Sequence, residues 1–336
     1  MSDDSDPLGS ALPPAARPGY FQLARLLVAR ALEIGAESAP EEGDGLGTLT
    51  NARGIRLQTR MWQAATPRAL VVFCHGYGTS TTHNPAWHRV AMLLSQHGFM
   101  CCGLDYAGHG TSEGRRNRVE SVDDLVDDVL QLVDQVVGTL ANPLPVFLRG
   151  QSLGGIVALA AALRCPQRFV GGGLALGAPA FELRWLVSPF APRAITTGAA
   201  QVRAQLHELH LPIACFQGVS DSTVQPSGAR HLLAACTASS QRSLFLYAEM
   251  GHNMSIEPDV RDWMCARLEA RDGGGRSAQS AVLHVRRPTP GTTWRPPPPG
   301  SEHANVNTVV EVVTEPAAQG QLLDALLNES TGGVPL

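Results

Sequence analysis

One unit recurs through the middle of this chain: a short, continuous apolar run, a turn, then a helical stretch. The runs are ALVVFC (69–74), FMCCGLDY (99–106), PVFLR (145–149), VGGGLALGA (170–178), PIACFQG (212–218) and SLFLYAE (243–249). A run that is apolar throughout, rather than at alternate positions, suits a strand buried on both faces, as in a parallel sheet. The helical stretches between the runs carry start signals. Asn84–Pro85 sets a capping residue before a proline at the first helical position. Ser121 and Asp124 form a capping pair ahead of LVDDVLQLVDQVVGTL, where Leu125, Val129, Leu132, Val133, Val136 and Leu140 share one face. Strands alternating with helices predict an α/β domain with a mostly parallel sheet over 49–270, opening with a hairpin in TNARGIRLQTRMWQA with its turn at Asn51–Gly54. A hydrophobic content of 44% is enough to fill such a core.

The flanks read differently. Residues 1–48 are an N-terminal extension, irregular around Pro7, Pro13, Pro14 and Pro18, with one helix expected over Tyr20–Gly35. That helix is apolar around most of its circumference, as in a helix packed on the domain or one lying in a lipid interface. Beyond 270, RDGGGRSAQS reads as a linker and TPGTTWRPPPPGSEH as proline-rich, so 271–336 is expected to be mostly disordered, with a short strand and helix in ANVNTVVEVVTEPAAQGQLLDALLNES.

Several chemistries are excluded by composition. The chain has 26 basic residues, all arginine, and 30 acidic ones, a net charge of −4. Lysine Schiff-base catalysis and a Walker-A phosphate loop are therefore ruled out, and no basic surplus points to nucleic acid. Seven cysteines without CxxC or Cys/His spacing suggest small core residues in a reducing compartment, not a disulfide framework or zinc site. No apolar run reaches the roughly 18 residues of a membrane span. The acidic start MSDDSDPLGS fits neither a secretory signal nor an arginine-rich transit peptide.

Two segments match G-x-S-x-G, the sharp strand-to-helix turn that presents a nucleophilic serine. One is Gly110–Gly114 around Ser112, the other Gly150–Gly154 around Ser152. Only the second has the required context: PVFLR runs straight into it, and LGGIVALAAALRC follows as a helix of small residues able to lie close to a sheet. Ser112 comes several residues after its strand and is followed by the polar GRRNR, so Ser152 is the candidate nucleophile.

A serine hydroxyl needs a base within hydrogen-bond reach and an acid to orient that base. Downstream of Ser152, His252 alone directly follows a strong strand signal, in SLFLYAEMGHNM; His207, His210 and His231 fall in helical stretches, and His284 and His303 beyond the domain. Asp221 stands just after the strand PIACFQG, 221 − 152 = 69 residues past the serine and 252 − 221 = 31 before the histidine. Glu249 and Glu257 are weaker alternatives, being too near His252 in sequence. The oxyanion hole needs two backbone N–H donors; Leu153, after the nucleophile, and Tyr77, in the HGYG turn after an early strand, are the candidates. His75 in that turn is read as a residue that holds the loop, not as a base.

Together CHGYG (74–78), GLDYAGHGTSEG (103–114), GQSLGG (150–155), FQGVSD (216–221) and LYAEMGH (246–252) resemble the monoacylglycerol lipase / lysophospholipase family of serine hydrolases. HGYG with GQSxGG looks most like its plant and algal branch, which includes caffeoylshikimate esterase. The resemblance covers roughly 49–269. It implies an α/β-hydrolase fold, hydrolysis of an ester such as a monoacylglycerol, the triad Ser152, Asp221 and His252, and an oxyanion hole at Tyr77 and Leu153. It implies no cofactor and no metal.

Two departures from the family pattern stand out. The interval that carries a long helical cap in the family is only 31 residues here, Ala180 to His210. Within it Phe181, Leu183, Trp185, Leu186, Val187 and Phe190 are candidates to line an acyl site or face lipid, Phe181, Trp185, Leu186 and Phe190 being taken as the substrate contacts. The segment after His252 is also short. The reading is thus a serine hydrolase that cleaves carboxylic esters, monoacylglycerol to fatty acid and glycerol in the first instance, with a lysophospholipase or a general carboxylesterase for small or phenolic esters as the alternatives in the same class and a non-catalytic hydrolase-fold binding protein as the alternative outside it. The expected location is cytoplasmic with peripheral membrane contact through residues 20–35 and the cap, and a plastid location stays open.

Overall fold

The six apolar runs become six strands of one sheet. In the computed structural model, residues 45–184, 191–239, 241–248, 250–254 and 256–272 are described, together with two further strands at 280–286 and 309–313. The strands are β1 (Leu46–Thr50), β2 (Arg56–Trp62), β3 (Ala69–Cys74), β4 (Phe99–Leu104), β5 (Val146–Gln151), β6 (Gly173–Gly177), β7 (Ile213–Gly218), β8 (Gln241–Tyr247), β9 (Ser280–Arg286) and β10 (Val309–Val313). Their spatial order is β1-β2-β4-β3-β5-β6-β7-β8-β9-β10. From β4 to β9 all neighbours pair parallel, while β1, β2 and β10 join antiparallel at the two ends.

Helices α1 (Pro85–Ser95), α2 (Val122–Val137), α3 (Leu153–Arg164), α4 (Arg193–Gln205), α5 (Pro226–Ala235) and α6 (Glu257–Asp272) cover both faces. The period-2 alternation of the strands divides the core in two. Leu70, Val72, Leu148, Leu174, Leu176 and Ile213 pack against α2, α3, α4 and α5. Val71, Phe73, Phe147, Ala175 and Phe216 point the other way and pack against α1 and α6. This explains the continuous apolar runs: every position of β3 is buried, and each large apolar side chain so buried contributes about 1.5–3 kcal/mol.

The start signals act as anticipated. Asn84 Oδ1 accepts the Ala86 N–H at 2.9 Å, and Ser121 Oγ accepts the Asp124 N–H at 3.2 Å. The turn between β1 and β2 forms at Asn51–Gly54, with Gly54 at φ 76, and is pinned to α2. There Asn51 Nδ2 and Arg53 Nη2 donate to the two oxygens of Asp128, at 2.9 and 2.6 Å. The seven cysteines are all free, and five of them are buried.

The sequence reading differs at the C-terminal side. The sequence leaves 271–336 outside the domain, with one short strand expected in 304–330; β10 is a strand within that stretch and pairs with β9, the unanticipated strand, which continues the parallel sheet beside β8. SAVLHVR is β-branched enough for a strand, and the open edge of β8 supplies the hydrogen-bonding partner that a local reading cannot see. The helix anticipated at Tyr20–Gly35 lies outside the described residues. Among the described residues no helix is long and apolar enough to cross a membrane.

Candidate active site

In a parallel sheet, the loops leaving the carboxyl ends of the strands converge on one edge. The loops after β3, β5, β7 and β8 carry HGYG, Ser152, Asp221 and His252 to that edge.

Ser152 links β5 to α3 with φ 54 and ψ −117, a left-handed conformation that costs a non-glycine residue of order 1–3 kcal/mol. The surroundings hold it there. Its N–H donates to the Gly177 carbonyl at 2.9 Å, and its own carbonyl accepts from Gly155 and Ala180 at 3.0 and 3.1 Å. The glycines of the motif are needed for space. A Cβ on Gly150 would run into the backbone of Gly154, and one on Gly154 into the Cys74 carbonyl at the end of β3.

His252 Nδ1 lies 2.8 Å from Asp221 Oδ2. Asp221 is fully buried. Its Oδ1 accepts the N–H groups of Thr223 and Val224 at 2.8 and 2.9 Å, and Oδ2 also accepts from Gln217 Nε2 at 3.1 Å. Burial works against the charge. The His252 hydrogen bond and charge and the two backbone donors outweigh it and hold the carboxyl below its ordinary value. A buried, ionised Asp221 can therefore hold the Nδ1–H tautomer of His252, leaving Nε2 to accept a proton.

The HGYG turn passes over the serine: a Cβ on Gly76 would lie 3.4 Å from Ser152 Cβ. His75 behaves as the sequence suggests. It is fully buried, its Nε2 accepts the Tyr106 N–H at 3.0 Å, and its Nδ1 is 2.7 Å from the Gly76 carbonyl. Burial, reinforced by neighbouring His109, pushes its pKa down and keeps the ring neutral. Tyr77 is pinned by its hydroxyl, which donates to the Asn117 carbonyl at 2.7 Å. Leu153 is the first residue of α3, where backbone N–H groups have no intrahelical acceptor.

Comparison with known proteins points the same way. Residues 65–200 match the family model Hydrolase_4, described as serine aminopeptidase, S33. Monoglyceride lipase of Homo sapiens is 38% identical over 124 residues, covering 37% of this chain and 40% of that protein; the chain thus spans less than half the length of that relative. Monoglyceride lipase of Mus musculus is 26% identical over 284 residues, 67% of this chain and 92% of that protein. A crystal structure of a soluble variant of monoglyceride lipase from Saccharomyces cerevisiae, in complex with a substrate analogue, shares the fold. Its TM-score is 0.55 at 18% identity, over 68% of this chain and 99% of that one. The chain is thus similar in sequence to monoglyceride lipases and shares their α/β-hydrolase fold.

The second G-x-S-x-G of this chain has a different use. Ser112 Oγ donates to the Asp105 carbonyl at 2.6 Å and accepts the Gln58 N–H at 2.8 Å, so it ties a loop to β2. Of the anticipated substrate contacts, Phe181 is 6% exposed and packs in the core beneath the Arg203 guanidinium, 5.8 Å from the ring centre. Trp185, Leu186, Val187 and Phe190 lie outside the described residues, as does Glu249. Leu183 bridges to Val224.

Four residues at the site escaped the sequence reading. Gln217 bonds the acid directly. Arg184 Nε donates to the Asp221 carbonyl at 2.6 Å. Gln151 Nε2 donates to the His252 carbonyl at 3.1 Å. Buried Asp105 accepts from Thr81 N, Thr82 N and Thr82 Oγ1 at 2.8, 3.0 and 2.6 Å, fixing the turn that follows HGYG. The only sequence signal for any of them was position: Gln151, Gln217 and Asp105 each lie inside a motif, GQSLGG, FQGVSD and GLDYAGHGTSEG, that gives them no role of their own. Among the described residues no group of three or more His, Cys, Asp or Glu is placed to hold a metal.

Proposed function

We propose that this protein is a serine hydrolase that cleaves carboxylic esters, monoacylglycerol to fatty acid and glycerol in the first instance. The observation that carries the reading is the 2.8 Å hydrogen bond between His252 and a buried, ionised Asp221, at the sheet edge where Ser152 sits in a left-handed elbow. In this mechanism His252 Nε2 takes the Ser152 proton as Oγ attacks the ester carbonyl, and Asp221 stabilises the resulting imidazolium. The Tyr77 and Leu153 N–H groups hold the oxyanion, each donor being worth about 3–4 kcal/mol in comparable sites. The imidazolium then protonates the departing alcohol, leaving an acyl-serine. Water activated by His252 releases the acid and restores the serine.

The names of the relatives favour a monoacylglycerol. The 31-residue interval Ala180 to His210, short for a cap, favours a second reading within the same class, a carboxylesterase for smaller or phenolic esters. Chain-length preference separates the two, because an acyl tunnel gains about 0.8 kcal/mol per buried methylene. Trp185, Leu186 and Phe190 belong to this proposal as acyl contacts, Phe181 being packed in the core, and peripheral lipid contact of a cytoplasmic protein through residues 20–35 and the cap belongs to it as well. Deleting residues 1–40 then abolishes liposome binding; unchanged binding sinks the membrane proposal.

The deciding experiment compares wild type with Ser152→Ala for labelling by a fluorophosphonate and for fatty-acid release from monoacylglycerol. Loss of both in the variant is the expected result. Serine-dependent labelling without release retains the hydrolase and moves the substrate to smaller esters. Absence of labelling in wild type overturns the enzyme reading in favour of a binding protein.

A further inference from the structure

Gln151 ends β5 immediately before the nucleophile, and its side chain has a partner far away in sequence. The amide Nε2 donates to the backbone carbonyl of His252 at 3.1 Å, across 101 positions. A carbonyl only accepts, so the NH2 end of the amide must be the end that faces it. The opposite end has a matching accommodation. Gly177 is the register partner of Gln151 on β6, and a Cβ at that position would collide with Gln151 Oε1. A glycine there makes room for the amide to lie across the strand ends towards the histidine loop.

Among the described residues, that loop is fixed near its tip as follows. Met250 is tied on both sides, its N–H to the Tyr247 carbonyl at 3.3 Å and its carbonyl to the Ser220 N–H at 3.1 Å. At Gly251 the surroundings are open, the nearest atom to a Cβ being the Ser220 carbonyl at 4.0 Å. His252 itself is held at its ring by Asp221 and at its backbone by Gln151. The ring contact alone leaves the imidazole free to swing about Nδ1, which displaces Nε2 from the serine. The backbone contact removes that freedom by fastening the base to the residue next to the nucleophile.

We infer that Gln151 is a positioning residue for the reaction: it sets His252 against Ser152 by joining the nucleophile elbow to the backbone of the base. This inference rests on the triad proposed above. A misplacement of about 1 Å in such an arrangement costs on the order of 100-fold in rate, while a residue remote from the acyl and alcohol groups leaves substrate binding unchanged.

The test is Gln151→Met, which keeps the length and volume of the side chain and removes the donor, measured with a p-nitrophenyl ester beside wild type and Ser152→Ala. The expected result is a fall in kcat of about 10- to 100-fold with KM unchanged, and an equal fall in the rate of fluorophosphonate labelling. Wild-type kcat in Gln151→Met overturns the inference, since a space-filling role survives an isosteric exchange. A raised KM with unchanged kcat also overturns it and makes Gln151 a binding group. Should Gln151→Met not fold, Gln151→Glu, which turns the donor into an acceptor facing the same carbonyl, is read by the same split. Labelling that persists in Ser152→Ala defeats the triad itself, whereas an inert Ser152→Ala beside an unaltered Gln151→Met defeats only the positioning role.

Discussion

The chain carries the same five-residue pattern twice, at Gly110–Gly114 and at Gly150–Gly154, and the two serines live in opposite circumstances. Ser152 is forced to positive φ at the junction of a buried strand and a helix. Ser112 lies in a loop with both capacities of its hydroxyl taken up by backbone, the Asp105 carbonyl and the Gln58 N–H. Glycines surround both. Around Ser152 they let α3 and β3 approach; a Cβ on Gly154 would strike the β3 backbone. Around Ser112 they allow the chain to turn, with Gly110 and Gly114 both at positive φ. The comparison teaches that the motif describes a kind of turn. What sets Ser152 apart is the strand that ends there and the His252–Asp221 pair carried by loops to the same sheet edge.

The largest expected effect comes from Ser152→Ala, which should lower kcat by about 10^6-fold while thermal stability is retained, measured by ester turnover and melting temperature. Asp221→Asn should come next, at about 10^4-fold in kcat, since the amide cannot hold the His252 tautomer. This variant also changes the acid range. The folded-state pKa of Asp221 is depressed, so its contribution to stability is complete above the unfolded value of about 4 and is lost as pH falls through the lower folded value. Wild type should therefore lose stability on acidification through this range more steeply than Asp221→Asn, as read by melting temperature against pH. Gly154→Ala should destabilise by about 1–3 kcal/mol or more in urea unfolding, because only backbone stands in the way of the methyl. Ser112→Ala should cost about 1–3 kcal/mol through the unsatisfied Gln58 N–H and leave kcat and fluorophosphonate labelling at wild-type levels. Labelling lost in Ser112→Ala and kept in Ser152→Ala would reverse the assignment of the two turns.

Local signals carried much of this molecule. The runs at 69–74, 99–106 and 145–149 become strands because continuous apolar character reports burial on both faces, which is a property of the residues themselves. Asn84 and Ser121 cap their helices because their side chains reach only two or three positions along. Ser152 could be chosen over Ser112 for the same reason: the strand before it and the small-residue helix after it are adjacent in the chain. His252 and Asp221 followed from their positions just past strand signals, and the structure joins them by a hydrogen bond.

What escaped the sequence has a common cause. Gln151 reaches His252, Arg184 reaches Asp221, and Asp105 gathers the turn after HGYG, each through a side chain whose partner lies on another loop. A glutamine or arginine beside a motif reads as an ordinary polar residue until the crossovers of the sheet bring that partner within about 3 Å. The same holds for β9, a strand only because β8 leaves an edge open to it. Sequence alone determined the order of strands and helices from β1 to α6 and which residues are candidates for the chemistry, since periodicity and turn chemistry act over a few residues. Tertiary structure alone decided which polar groups support Asp221 and His252, since hydrogen bonds are short and their partners are set by where the strands lie, not by their order along the chain.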